Sequence, residues 1–426
     1  RESSLKLQAA FKKPRLEVVA THMQPASKMQ ILAGNDNFSE MPALQPLVTF
    51  DDNVITFFEE LSGRLMSHPR GREFPEIITF GFYIRRSNVK KLQKPYRDLQ
   101  LNIGRGVSFH IAPSNVPINF AYSLLAGLLS GNACVVRVSS KNFPQTDIVS
   151  NAIAELLDTS EFSGLKRYIS LVSYDRDFAT NNFFSNLCDV RVIWGGDDTI
   201  SELRKSPLPP RSFDITFADR YSFCIIKASE YLNLENKKKI AYGFYNDTYL
   251  FDQNACSSPR LIYWLGGSDE ILKAKEVFWE FLYEVLLEKN YTIQFSTAVN
   301  KFATSCNAAL DYPDVVLPPV SDNLISRIEL KNLYPDLPDR VCAGGSYFEY
   351  SDQSLDSLEY FVSRKFQTLT YVGFARDELA SVFVGEGKRR SVGVDRIVPC
   401  GSASEFGLVW DGYDLIRHMS RVVSFK

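Results

Sequence analysis

From Gly106 to Ala218 the chain alternates short, wholly apolar runs with helix-forming stretches, a pattern few architectures accommodate. GVSFHIA (106–112) is β-rich and leads into the turn PSNVP. NFAYSLLAGLLSG is a nearly all-apolar helix ended by Gly131, and ACVVRV (133–138) is a second strand. Pro144 opens PQTDIVSNAIAELL as a helix with proline in its first turn. YISLVSY (168–174), a helix near 175–187, DVRVIWGG (189–196), a short helix and DITFA (214–218) continue the series. Strands that are apolar throughout need cover on both faces, so the alternation predicts a parallel sheet between helical layers.

A chain of 426 residues exceeds the usual single-domain range, so a second domain is expected. Residues 46–220 read as an N-terminal helical layer plus a dinucleotide-type domain, with Val54, Phe57, Phe58, Leu61 and Leu65 on one helical face and Asp51 or Asp52 as cap. Residues 221–390 read as a second α/β domain, with strands YSFCIIKA, PRLIYWL and FQTLTYVGF and a long helix at 269–290. Residues 391–426 form a tail expected to pack back on the first domain or on a subunit partner. Residues 1–45 are an N-terminal tail. Its opening stretch is basic and aperiodic and carries a His22-Met23 pair of the kind that marks a cloning junction, so residues up to about Gln30 are left out of the fold argument.

Lys+Arg 48 against Asp+Glu 50 leaves a formal charge of −2, which argues against nucleic-acid binding. No apolar run approaches the ~18–20 residues that span a bilayer, and the start lacks a secretory signal, so a cytoplasmic protein is expected. Seven scattered cysteines and four histidines offer no metal-binding spacing. Cys134, Cys188 and Cys224 sit in or beside apolar strands, as buried inert thiols do. Cys256 differs: FDQNACSSPR (251–260) is small, polar and turn-like. His110, on an apolar strand, reads as a satisfied core histidine, and Arg260 as a structural partner.

No GxGxxG follows the first strand; Ala112-Pro113-Ser114-Asn115-Val116-Pro117 stands there, and Gly195-Gly196 ends a later strand before DDTISELRK. Backbone N–H groups at such a helix start can meet a pyrophosphate, although an ordinary tight turn reads the same way. IAPSNVPINFAYSLLAGLLSGNACVVRVSSKNFPQT nevertheless resembles the cofactor-binding core of the aldehyde dehydrogenase superfamily. There a Pro-Trp-Asn-x-Pro turn, an apolar helix, a Gly-Asn corner and a strand ending Lys-Pro-Ser-Glu follow in this order. Asn115, Gly131-Asn132 and Arg137-Val138-Ser139-Ser140 fall in the matching places, and IWGG (193–196) matches the later glycine turn. Cys256 falls where the catalytic thiol stands. From about residue 50 onward the chain is similar to the fatty acyl-CoA reductases of bacterial bioluminescence (LuxC-type), on NACSSPR, LSGRLM, FGFYIRR and the tail RIVPCGSASEFGLVWDGYDLIRHMSR.

The resemblance implies an aldehyde-dehydrogenase-like α/β fold, with a parallel-sheet dinucleotide-binding domain and a second α/β catalytic domain. It implies NADPH-dependent reduction of a long-chain fatty acyl-CoA to the aldehyde through an S-acyl Cys256. Asn115 and the Cys256 backbone N–H would hold the oxyanion. Pro113, Ser114, Arg137, Ser139, Ser140, Gly195 and Gly196 would contact the cofactor, and Gln367 the nicotinamide ribose. An exposed cysteine of lowered pKa suits this role, since thioester exchange is nearly isoenergetic and keeps the acyl group electrophilic. Members work beside acyl-protein synthetase or acyltransferase subunits, so such a partner and a homo-oligomer are expected.

Two departures carry information. The glutamate that activates water in aldehyde-oxidising relatives is replaced by Phe217 or Ala218 in FADRYSF, which disfavours hydrolysis, with Asp219 nearby as a displaced base. Ser140 replaces a glutamate that binds the adenine ribose, and beside Arg137 and Lys141 it favours a 2′-phosphate and hence NADPH. A hydrolytic aldehyde dehydrogenase and an acyl-accepting subunit without hydride transfer are the competing readings. Glu405, Trp410 and Asp414 in the tail mark the family without an evident task.

Overall fold

The structure is a computed structural model and describes residues 29–99, 101–114, 116–319, 322–384 and 393–424. The chain divides into two units, one running to Thr216 and resuming at Met419, the other Phe217–His418.

The first unit is built on β1 (Gln30–Gly34), β3 (Val107–Ile111), β4 (Ala133–Val138), β5 (Ile169–Ser173), β6 (Val190–Trp194) and β7 (Phe213–Phe217), with a separate short strand β2 (Asn102–Gly104). The sheet order is β1-β5-β4-β3-β6-β7. β3, β4, β5 and β6 pair in parallel, while β1 adds to β5 antiparallel. Every residue of β3 and β6 is buried, the polar Ser108, His110 and Arg191 among them. The apolar helix Asn119–Leu129 covers one face so closely that a Cβ at Gly127 would lie 2.6 Å from Cys134 Sγ and 2.8 Å from His110 Nε2. His110 is buried there between Ser123 Oγ (2.7 Å) and Ser108 Oγ (2.8 Å), and burial pushes it down to about 3.

The helix Asp52–Ser67 begins at Asp51, whose carboxylate accepts from the Asn53 N–H, and buries Phe57, Phe58, Leu61 and Leu65. At the corner after the apolar helix, Gly131 has φ +87° and a Cβ there would strike the Leu47 carbonyl. Asn132 follows, accepting from the Arg105 and Gly106 N–H groups and donating to the Met419 carbonyl. Beyond Met419, β16 (Ser420–Val422) pairs antiparallel with β2. The buried Arg191 on β6 bonds the Asp214 carboxylate on β7 at 2.7 Å, Ser185 Oγ, and the carbonyls of Leu203 and Ser206.

The second unit carries β8 (Tyr221–Lys227), β9 (Pro259–Leu265), β10 (Ser326–Leu330), β11 (Ser346–Asp352), β12 (Phe366–Val372) and β13 (Arg396–Pro399) in the order β10-β11-β9-β8-β12-β13. All five pairings are parallel. The two-residue strand period sorts side chains into two cores. Tyr221, Phe223, Ile225, Leu261 and Tyr263 enter one, and Cys224, Ile226, Ile262 and Trp264 the other, where the helix Ser268–Glu288 contributes Ile271, Ala274, Phe278 and Leu282. After β13 the chain forms a hairpin of β14 (Val409–Trp410) and β15 (Tyr413–Asp414).

Candidate active site

The turn before β9 owes its polarity to a set of fixed hydrogen bonds. Asp252 and Gln253 take left-handed φ values of 50° and 59°, reversing the chain after the helix Lys237–Thr248. The buried Gln253 amide donates to the Pro259 and Ser346 carbonyls and accepts from the Gly345 and Ser346 N–H groups. Arg260 donates to the carbonyls of Cys342 (2.5 Å) and Gln253 (2.9 Å), a structural role. Ser222 on β8 donates to the Cys256 carbonyl at 2.7 Å and accepts from the Thr368 N–H on β12 at 3.1 Å. The backbone carrying the sulfur is thus held by two neighbouring strands, while Cys256 itself is exposed.

The thiol does not have the lowered pKa that the sequence suggests. The residue keeps exposed surface, yet desolvation of its sulfur by the surrounding atoms comes first in pushing it up, followed by the Asp411 and Asp219 carboxylates; Arg260 and the Arg220 backbone N–H pull the other way. Residues 251–260 hold one acidic side chain, Asp252, and neither carboxylate acting on the sulfur comes from that stretch. Cys134 and Cys188 are instead buried and pushed up to about 12 by burial alone or chiefly. Cys256 is therefore set apart by exposure and by its charged neighbours.

Asp411 comes from the tail. Asp411 and Gly412 join β14 to β15 with φ values of 48° and 76°, the two left-handed positions of a tight hairpin turn. Gln367, buried on β12, donates its side-chain amide to the Asp411 carboxylate. Burial raises Asp411 to about 6, opposed chiefly by Arg220 and the Gln367 bond. Tyr413 packs edge-on against the buried Phe217, their ring centroids 5.9 Å apart. Arg396 lies over the Trp410 ring at 4.8 Å and donates to the carbonyls of Ser402, Ala403 and Glu405. The Asp414 carboxylate accepts from the Arg417 N–H. Asp247 accepts from the Gly401 and Ala403 N–H groups, and burial pushes it up to about 7. Asp411 escaped the sequence reading, although Asp-Gly between two β-forming pairs is a hairpin signal.

The other sequence-derived residues lie at the carboxyl ends of strands in the first unit. Pro113 and Ser114 follow β3; Asn115 lies outside the described residues. Arg137 ends β4, its guanidinium donating to the Tyr174 carbonyl (3.1 Å) and lying 4.9 Å from that ring. Ser139 accepts from the Lys141 N–H, and Ser140 is exposed. Gly195 and Gly196 follow β6, and a Cβ at Gly195 would sit 3.0 Å from Thr199 Cγ2. Gln367 belongs to the second unit, engaged with Asp411. Among the described residues no group of three or more His, Cys, Asp or Glu side chains could hold a metal, and no helix is long and apolar enough to cross a membrane.

Solved structures share the fold across the chain. A lactaldehyde dehydrogenase superimposes with TM-score 0.62 at 12% identity, covering 91% of this chain and 88% of that one. An NAD-dependent benzaldehyde dehydrogenase from Corynebacterium glutamicum gives 0.58 at 13%, covering 91% and 87%. The long-chain acyl-protein thioester reductase of Photorhabdus luminescens is 30% identical over 172 residues, 40% of this chain and 34% of that protein. That of Photobacterium phosphoreum is 25% identical over 334 residues, 75% of this chain and 62% of that protein. The chain thus spans about a third of the length of the first relative and less than two thirds of the second. The fold is that of the aldehyde dehydrogenases, and residues 83–293, which include both the glycine turn and Cys256, match the acyl-CoA reductase (LuxC) family.

Proposed function

We propose that the chain reduces a long-chain fatty acyl thioester to the aldehyde with a nicotinamide cofactor, through an acyl group carried on Cys256. The observation that carries this reading is an exposed cysteine on a turn fixed by backbone hydrogen bonds, inside the segment that matches the family. The thiolate attacks the thioester carbon, and the donor thiol leaves. The Cys256 N–H receives the oxyanion, a contact of a kind worth ~10²–10³ in rate. The bound nicotinamide supplies hydride. Cys256 then departs as the tetrahedral carbon collapses to the aldehyde. Phe217 or Ala218, in place of the water-activating glutamate that the resemblance puts there in oxidising relatives, favours reduction over hydrolysis, and Phe217 is buried against Tyr413.

The first unit fits a dinucleotide. The chain runs from β3 outward to β4 and β5 on one side and resumes with β6 on the other, and such a reversal opens a crevice at the carboxyl ends of the strands. Pro113 and Ser114 stand on one side of it and Gly195-Gly196 on the other, where a side chain at Gly195 would crowd Thr199. Arg137 is next to last in the neighbouring strand β4, Ser139 and Ser140 follow it, and their lack of a carboxylate favours NADPH over NADH. The acyl donor is a fatty acyl-CoA, with an acyl-protein thioester, the donor that the relatives' name suggests, as the alternative source.

The test is aldehyde formation from palmitoyl-CoA with NADPH, and from an S-palmitoylated carrier protein, in wild type and Cys256→Ala. Wild type should form aldehyde from at least one donor and the variant from neither. Aldehyde from the variant, or acid in place of aldehyde, refutes the reading.

A further inference from the structure

The helix Phe295–Asp311 is held to the second unit through one face. Its buried Lys301 donates from Nζ to the carbonyls of Asn323 (2.6 Å) and Gly344 (2.7 Å), Ala308 is fully buried, and Ser305 Oγ meets Ser326 Oγ at 3.4 Å. The Gly344 N–H in turn donates to the Asp252 carbonyl and the Gly345 N–H to the Gln253 side chain, so the helix is anchored on the backbone that supports the turn of Cys256. The opposite face is apolar and open: Phe295 is 94% exposed, Val299 65%, Phe302 72% and Leu310 83%, with the half-buried Cys306 between the last two. Steps of four, three, four and four residues bring these five side chains into one stripe along the helix. Single exposed apolar residues are ordinary; a continuous row of them marks a contact surface.

We propose that this stripe is a two-fold interface on which a second copy of the chain lays its own Phe295–Asp311 helix antiparallel. Charge selects the occupant. The helix contains two charged residues: Lys301, which faces inward, and Asp311, which bonds Arg340 at 2.7 Å. The stripe is flanked instead by the exposed, neutral Ser296, Asn300 and Asn307. A helix that lies on a lipid surface carries lysine or arginine on its polar face, and a partner steered by charge needs an opposing charge to meet. A neutral stripe meets its own copy without either. Size selects the register. Antiparallel pairing sets Phe295 on Cys306 of the second copy and Phe302 on its Val299, each aromatic ring against a smaller side chain, with the axis crossing between residues 300 and 301. Area is sufficient: with aromatic side chains presenting ~150–250 Å² each, the stripe offers roughly 600 Å² per copy, and two copies together pass the ~1,000 Å² that a specific interface requires. Such an isologous contact closes on itself with two chains.

The test uses the full chain at micromolar concentration. Sedimentation velocity should give wild type as a dimer or a larger even assembly and Phe302→Asp at half that mass, with the far-UV circular dichroism of the two alike, since Phe302 is largely exposed in the single chain. Phe295→Cys, oxidised with diamide, should form an intermolecular disulfide that peptide mapping places between the introduced thiol and Cys306 of the second copy. Wild type should form none at this face, because in the same register the two Cys306 residues stand about 16 Å apart along the helix axis. A monomeric wild type, a Phe302→Asp variant that keeps the wild-type mass, or a disulfide mapped to another pair overturns the proposal. Flotation of monomeric wild type with phosphatidylglycerol vesicles, lost in Phe302→Asp, overturns it in favour of a lipid surface.

Discussion

The buried amide of Gln367 donates to the carboxylate of Asp411, linking the sheet of the second unit to a turn in the tail. That bond holds Asp411 below the value burial alone would impose. Replacing the donor by an isosteric apolar residue, Gln367→Met, therefore moves Asp411 further up. The Asp411 carboxyl, followed by NMR across a pH series, should then titrate above about 6; a midpoint that stays in place contradicts this coupling.

Asp247 predicts a pH-dependent stability. Its carboxyl titrates from 3.8 ordinarily to about 7 in the fold, raised by burial. Between those values the folded chain retains a proton that the unfolded chain loses. Stability from this group is complete below the ordinary carboxyl range and declines as pH rises through about 7. Thermal midpoints at about pH 5 and about pH 8 should differ more in wild type than in Asp247→Asn, whose side chain does not titrate. Equal differences would show that Asp247 is not the source.

In the first unit, Arg191→Met would leave the Asp214 carboxylate, already partly buried, with only Arg204 at 3.2 Å. Removing one partner of a buried pair costs about 3–5 kcal/mol, and Arg204 places this case near about 3 kcal/mol. Urea unfolding monitored on that unit measures the loss. A change under about 1 kcal/mol would mean that the arginine's five hydrogen bonds contribute little.

The proposed preference for NADPH is tested at Arg137. Arg137→Ala should raise the NADPH requirement much more than the NADH requirement, because only the former carries a 2′-phosphate. Equal effects would assign the guanidinium to its bonds with Tyr174 alone.

The strands of the first unit are legible in sequence because residues buried on both faces must be apolar without interruption. β3, β4, β5, β6 and β7 fall within a residue or two of the runs that predict them. β1 is not legible in that way: QILAG is five residues long, follows the excluded opening stretch and pairs antiparallel at the sheet edge. Cys256 stands out because its surroundings are polar in a context where other cysteines are apolar. Its charged neighbours do not stand out, since Asp411 is far along the chain and is brought in by the hairpin that follows β13. The polarity of FDQNACSSPR looks local, yet Gln253 and Arg260 spend it on the backbone of β9, β11 and residues 342–345. Sequence shows which residue types are present; the parallel sheet decides which of them meet.

The central claim concerns a sulfur that carries an acyl chain between donor and reductant. Intact mass with peptide mapping after palmitoyl-CoA treatment, before and after adding NADPH, tests it most directly. The account predicts one palmitoyl adduct on Cys256 that NADPH discharges as palmitaldehyde, and no adduct in Cys256→Ala. An adduct at another residue, or one that persists with NADPH and is lost only as palmitic acid, contradicts it.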